Sequence, residues 1–176
     1  LAIVSETTKQ AGETRARWAW VEPRVWTDRM LAALEKGVKG GKWFSLIDKV
    51  YTPAVLQIAF LQVKANGGAP GVDRQTIKMF EKRLDDNLAR LSDQLQKGTY
   101  RPQAIRRTYI PKPGSNEKRP LGIPTVRDRV VQTALRAVIE PIFEHDFAKH
   151  SYGFRPGKGC KDALRRVEQL LANGNV

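Results

Sequence analysis

Apolar residues recur at steps of three and four along most of the chain, which predicts helices. Thr27-Asp28 can cap a helix with Met30, Leu31, Leu34 and Val38 on one face, ended by Gly37 and Gly40-Gly41. Trp43, Phe44, Leu46, Ile47 and Val50 form a short apolar segment, read as helical. Thr52-Pro53 restarts a helix through Val55, Leu56, Ala59, Phe60 and Val63, and Asn66-Gly67-Gly68 stops it. Ile77, Phe80, Leu84, Leu88, Leu91 and Leu95 predict one amphipathic helix as far as Lys97, ended by Gly98. Thr125 and Asp128 resemble a capping box before a largely buried helix over Val126, Val130, Val131, Ala134 and Val138. Pro141 is expected to end that helix, with Arg127, Arg129 and Arg136 on or beside its exposed side. Ala163, Leu164, Val167, Leu170 and Leu171 mark a last helix, capped by Asn173-Gly174.

The period changes between Arg106 and Pro124. Thr108-Tyr109-Ile110 favours an extended chain, Pro113-Gly114-Ser115-Asn116 is turn chemistry, and Leu121-Gly122-Ile123 returns. Pro111 and Pro113 cannot donate to a ladder, so the hairpin suits an edge or a projecting arm. Arg106, Arg107, Lys112, Lys118 and Arg119 face a single acid, Glu117. Such an arm is suited to gripping phosphates. The plainer alternative is a solvated hairpin whose charges protect its edges. The fold class is therefore α+β and predominantly α-helical.

Charge favours the first reading. The 176 residues carry a net charge of +13, which points to a polyanion, most simply nucleic acid. An anionic membrane surface is the rival, but no apolar run is long enough to span a bilayer. Leu1-Ala2-Ile3-Val4 is too short for a signal-peptide core, and the leucine start suggests a trimmed product. The single cysteine, Cys160, excludes an intramolecular disulfide framework and fits a reducing cytoplasm. Residues 1–22 read as a flexible arm, 23–65 as a helical extension and 66–176 as the main unit. Trp18, Trp20 and Trp26 are read as anchors in preference to stacking platforms.

Two loops carry candidate chemistry. In Asn66-Gly67-Gly68-Ala69-Pro70-Gly71-Val72-Asp73, glycines allow close backbone approach and successive N–H groups can receive a phosphate, or the loop is a mere connection. In Ser151-Tyr152-Gly153-Phe154-Arg155-Pro156-Gly157, rings and cations suit base stacking and backbone pinning, or the aromatics close the core. Asp85-Asp86 reads as a solvated helix face, since adjacent helical carboxylates diverge. His145, His150 and Cys160 lack zinc-site spacing.

Four motifs occur in order: the 66–73 loop, Tyr109-Ile110-Pro111-Lys112-Pro113-Gly114, Arg119-Pro120-Leu121-Gly122-Ile123-Pro124-Thr125 with Asp128-Arg129, and Ser151 to Gly157. In this order they closely resemble bacterial group II intron-encoded proteins, reverse transcriptases that also act as splicing maturases. The resemblance covers about residues 24 to 176 and implies the reverse-transcriptase fingers with the start of the palm. It implies that Arg106 and Lys112 reach the incoming triphosphate, that Arg129 is placed toward the nucleotide, and that Ile123 packs near the templating base. Cations there neutralise charge moving onto pyrophosphate. It also implies that Asn66, Gly67, Gly68 and Gly71 lie over the template. Arg107, Lys118, Arg119, Phe154 and Arg155 are expected to bind nucleic acid. The metal-binding aspartates are expected beyond Val176, so Mg²⁺ belongs to the complete enzyme and this portion alone is expected to be inactive. The implied partners are intron RNA, an RNA template, a DNA primer and dNTP, with no membrane, in a cytoplasmic ribonucleoprotein. Apolar surface is expected to be covered by the palm or by a second copy. The alternative function is a non-catalytic module that stabilises structured intron RNA.

Overall fold

A computed structural model describes residues 14–37 and 46–174. The expected arm over residues 1–13, Val38, Gly40-Gly41, and Trp43-Phe44 of the short apolar segment lie outside the described residues. The fold is mixed α+β and mostly helical, with one small basic hairpin.

The helices are α1 (Asp28–Lys36), α2 (Leu46–Val50), α3 (Pro53–Asn66), α4 (Ile77–Glu81), α5 (Leu84–Gln96), α6 (Val126–Asp146) and α7 (Cys160–Ala172). The strands β1 (Arg106–Pro111) and β2 (Lys118–Ile123) lie between α5 and α6 and pair antiparallel. The core sits where α3 packs on α6. It holds Leu56, Phe60, Val126, Val130 and Val138, with Phe80 stacked on Phe60 at 5.6 Å between ring centroids. Among the described residues, no helix is long and apolar enough to cross a membrane.

Residues 14–22, expected within the arm, are anchored on α1. Glu35 accepts from the Thr14 hydroxyl at 3.0 Å, the Trp18 indole at 3.1 Å and Arg17 at 3.2 Å. Trp18 and Trp26 are buried, as anchors should be, whereas Trp20 stays partly exposed.

Two helix boundaries differ from the pattern. The apolar run over 77–97 is two helices, broken at Lys82-Arg83. At the break the Phe80 carbonyl accepts the Asn87 side-chain amide at 2.9 Å and the Arg83 N–H at 3.3 Å, in place of the N–H four residues on that a continuous helix would have offered. The apolar spacing survives the break because both pieces face the same core. The second difference is at Pro141, which does not end α6. A helical proline lacks the N–H that would reach the carbonyl four residues back and crowds that carbonyl. Here Pro141 is buried, and the neighbouring Val138 carbonyl accepts the Trp26 indole N–H at 3.2 Å. Tertiary packing thus carries the 21-residue helix through its proline, over a length of about 30 Å.

Helix α7 forms where expected, from the Gly159 N–H bonded to Asp162 Oδ2 at 2.9 Å. None of its residues is buried. Leu164, Val167 and Leu171 present an apolar face to the outside.

Candidate nucleic-acid interface

The hairpin projects. Residues 111–122 are all exposed. Its turn is closed by the Lys112 N–H on the Glu117 carbonyl at 2.9 Å, with Gly114 at φ 72°. That left-handed value is what glycine supplies without strain.

The register sorts the cations. Arg106 lies opposite Ile123, Thr108 opposite Leu121 and Ile110 opposite Arg119; Arg107 faces Gly122, Tyr109 faces Pro120 and Pro111 faces Lys118. Side chains alternate between the faces of a strand, and directly paired residues share one. Arg106, Ile123 and Arg119 therefore share a face, and the alternation puts Lys112 there too. Arg107 and Lys118 occupy the other face with Tyr109. Among the described residues, Arg106, Arg107, Lys118 and Arg119 have no ion-pair or hydrogen-bond partner for their side chains. Lys112 pairs with Glu117 at 2.5 Å, with both side chains largely in solvent. An exposed pair of this kind contributes roughly 0–1 kcal/mol, so a stronger anion can displace the carboxylate.

The hairpin is fixed at its root by a buried carboxylate. Asp128 is 2% exposed. Its Oδ1 accepts the Tyr100 hydroxyl at 2.5 Å; its Oδ2 accepts the Gln103 N–H at 3.0 Å and the Thr125 hydroxyl at 2.7 Å. The Asp128 N–H in turn donates to Thr125 Oγ1 at 3.2 Å. One side chain thus joins the segment entering the hairpin to the helix leaving it. Burial, and then the hydrogen bond to Asp128, push the Tyr100 hydroxyl well above the usual tyrosine range. Arg127 lies over the Tyr100 ring at 5.1 Å and donates to the Arg101 carbonyl at 2.9 Å. Only the capping spacing of Thr125 and Asp128 was visible in the sequence; Tyr100 and Gln103 gave no signal.

The glycine loop lies against the start of α6. Arg129 donates to the Gly67 carbonyl at 3.0 Å and the Ala69 carbonyl at 3.1 Å. Burial lowers its pKa from the usual arginine value, and Asp73 partly offsets this. Arg129, expected on the outer side of α6 and toward a nucleotide, is half-buried and engaged in holding the loop. Gly68, at φ 110°, holds a conformation that favours glycine, and a Cβ there would sit 2.9 Å from Arg129 Nη1, so that guanidinium would have to shift. At Gly71 a Cβ would lie 2.7 Å from Thr125 Cα. Gly71→Ala is therefore expected to force the loop off α6 and to destabilise the chain by about 1–3 kcal/mol. The urea midpoint checks this, and an unchanged midpoint would contradict the packing described.

Phe154 and Arg155 lie elsewhere, on the loop after the far end of α6. Arg155 does not present its guanidinium to solvent. It binds Glu144 at 2.6 Å and donates to the Ala148 carbonyl at 2.8 Å and the Ser151 carbonyl at 2.9 Å. Its side chain is 7% exposed. A guanidinium this shielded spends its donors on internal acceptors. Phe154 is fully exposed and adopts φ 57°, rare for a residue with a side chain. The expected site residues thus fall into two groups, at opposite ends of α6.

Among the described residues, no group of three or more His, Cys, Asp or Glu side chains is placed to hold a metal ion. Asp85 and Asp86 are exposed on the first turn of α5, where Asp86 lies 3.8 Å from Arg83. These donors do not fit a Mg²⁺ site.

No protein-family model matches the chain. Sequence comparison finds Protein YkfC of Escherichia coli K12, 36% identical over 173 residues, covering 97% of this chain and 40% of that protein. The group II intron-encoded protein LtrA of Lactococcus lactis is 35% identical over 133 residues, covering 70% of this chain and 22% of LtrA. Nuclear intron maturase 4, mitochondrial, of Arabidopsis thaliana is 26% identical over 147 residues, covering 81% of this chain and 17% of the maturase. The chain spans less than half the length of each of these relatives. On these relationships, it belongs with the group II intron-encoded proteins and intron maturases.

Proposed function

We propose that this chain is the fingers portion, with the start of the palm, of a group II intron-encoded RNA-directed DNA polymerase that also binds intron RNA to assist splicing. It holds template RNA and incoming dNTP. The observation that carries this reading is the projecting hairpin, with Arg106, Lys112, Arg119 and Ile123 on one face. Arg106 and Lys112 bind the triphosphate from that face, and Ile123 packs near the templating base. Arg107 and Lys118, on the reverse, take nucleic-acid backbone. The glycine loop, held to α6 by Arg129, lies over the template, so Arg129 acts on the nucleotide site through the loop. The carboxylates for Mg²⁺ come from the rest of the complete protein, as does the surface that covers Leu164, Val167 and Leu171. The assembly works as a cytoplasmic ribonucleoprotein.

Primer extension on an RNA template by the complete protein tests the reading, with this chain alone as the control. Extension that requires the complete protein, template and dNTP is the expected result. A complete protein that binds intron RNA tightly but never extends a primer would leave only the non-catalytic RNA-binding role.

A further inference from the structure

A second cationic concavity lies beyond the far end of α6. The loop from Lys149 to Lys158 forms one wall, and one face of α7 forms the other, enclosing about 490 Å³. Lys149, Lys158, Arg165 and Arg166 line it against a single acid, Asp162. The α7 lining positions recur at helical steps, which makes a trough along the helix. Its loop wall is organised from within. Lys158 donates to the Lys149 carbonyl at 3.1 Å and lies 5.8 Å from the centroid of the Tyr152 ring. Arg155, on Glu144, ties the same loop to the last turns of α6. Arg166 Nε is shielded from solvent and has no hydrogen-bond partner among the described residues. Arg165 binds Asp162 at 3.0 Å in an exposed pair, which leaves most of its donors free.

We propose that this trough is a second binding site for RNA backbone, separate from the hairpin. Guanidinium and ammonium groups beside a tyrosine ring make a nucleic-acid surface more than a peptide surface. The hairpin leads into the start of α6 and the trough follows its end in the chain. They grip different segments of one RNA, and each raises the effective concentration of RNA at the other. The choice of RNA as ligand rests on the function proposed above.

The test is anisotropy of a labelled RNA stem-loop titrated with the full chain over a series of salt concentrations. Lys149 and Arg165 are exposed and lie outside the core, so Lys149→Ala/Arg165→Ala leaves the fold intact, checked by circular dichroism. Losing two phosphate contacts should flatten the slope of log K against log salt by about 1.4–1.8. Lys149→Arg/Arg165→Lys should restore the slope. An Arg107→Ala/Lys118→Ala variant should flatten it independently, and the residual binding should still respond to the trough substitutions. An unchanged slope in the trough variant overturns the second site while leaving the hairpin reading standing. A polyglutamate peptide that displaces RNA from the hairpin variant as well as RNA itself does would overturn RNA as the ligand.

Discussion

Replacing Asp128 with alanine is expected to destabilise the chain by about 3–5 kcal/mol, read from denaturant unfolding. The magnitude follows from what the carboxylate holds. The Tyr100 hydroxyl, the Gln103 N–H and the Thr125 hydroxyl all lose their acceptor at once. Thr125 is fully buried, so water cannot replace the lost partner there without opening the packing. Arg127 would also lose a carboxylate 3.8 Å away. Asp128→Asn should lose less, because one side-chain oxygen still accepts. The loss should also loosen the hairpin at its root, since Asp128 is what joins the entering segment to α6. Proteolysis between Arg101 and Arg106 should therefore accelerate before the core unfolds.

The second large effect concerns the hairpin. In the complete protein, Arg106→Ala/Lys112→Ala is expected to raise the apparent KM for dNTP about tenfold or more. A hydrogen bond to a charged group contributes roughly 1.5–3 kcal/mol, and tenfold corresponds to about 1.4 kcal/mol. The two positions are six residues apart on one face, about 20 Å along the backbone, so long side chains must converge on the triphosphate from both ends. Stability should hardly change, because neither side chain supports the fold: among the described residues Arg106 has no intramolecular partner and Lys112 has only the exposed Glu117. Glu117→Gln, which frees Lys112, should lower the KM slightly if the pair competes with nucleotide.

Much of this was legible in the sequence where local chemistry decides the outcome. The hairpin follows from Pro113-Gly114 between two extended runs, and the start of α6 from Thr125 with Asp128. Periodicity found the core faces of α3, α5 and α6, because a buried face must be apolar whatever the topology. It failed at Lys82-Arg83, where the side chain of nearby Asn87 makes a break tolerable, and at Pro141, where packing around Trp26 outweighs the proline penalty. The candidate site was legible as a set of charges but not in its division of labour. An arginine's sequence context does not reveal whether its donors face solvent or its own backbone. Arg155 and Arg129 bind internal acceptors, whereas among the described residues Arg106 and Arg107 do not. The loop from Ser151 to Gly157 stood out in the sequence, but its pairing with one face of α7 did not, because the two walls come from separate segments.

We propose that the two faces of the cationic hairpin do different work. The most direct measurement compares two variants of the complete protein in primer extension and RNA binding. Arg106→Ala/Lys112→Ala is expected to raise the KM for dNTP and leave the Kd for RNA nearly unchanged, while Arg107→Ala/Lys118→Ala weakens RNA binding and spares the KM. A complete protein that extends primers with an unaltered dNTP KM after losing both Arg106 and Lys112 would contradict it.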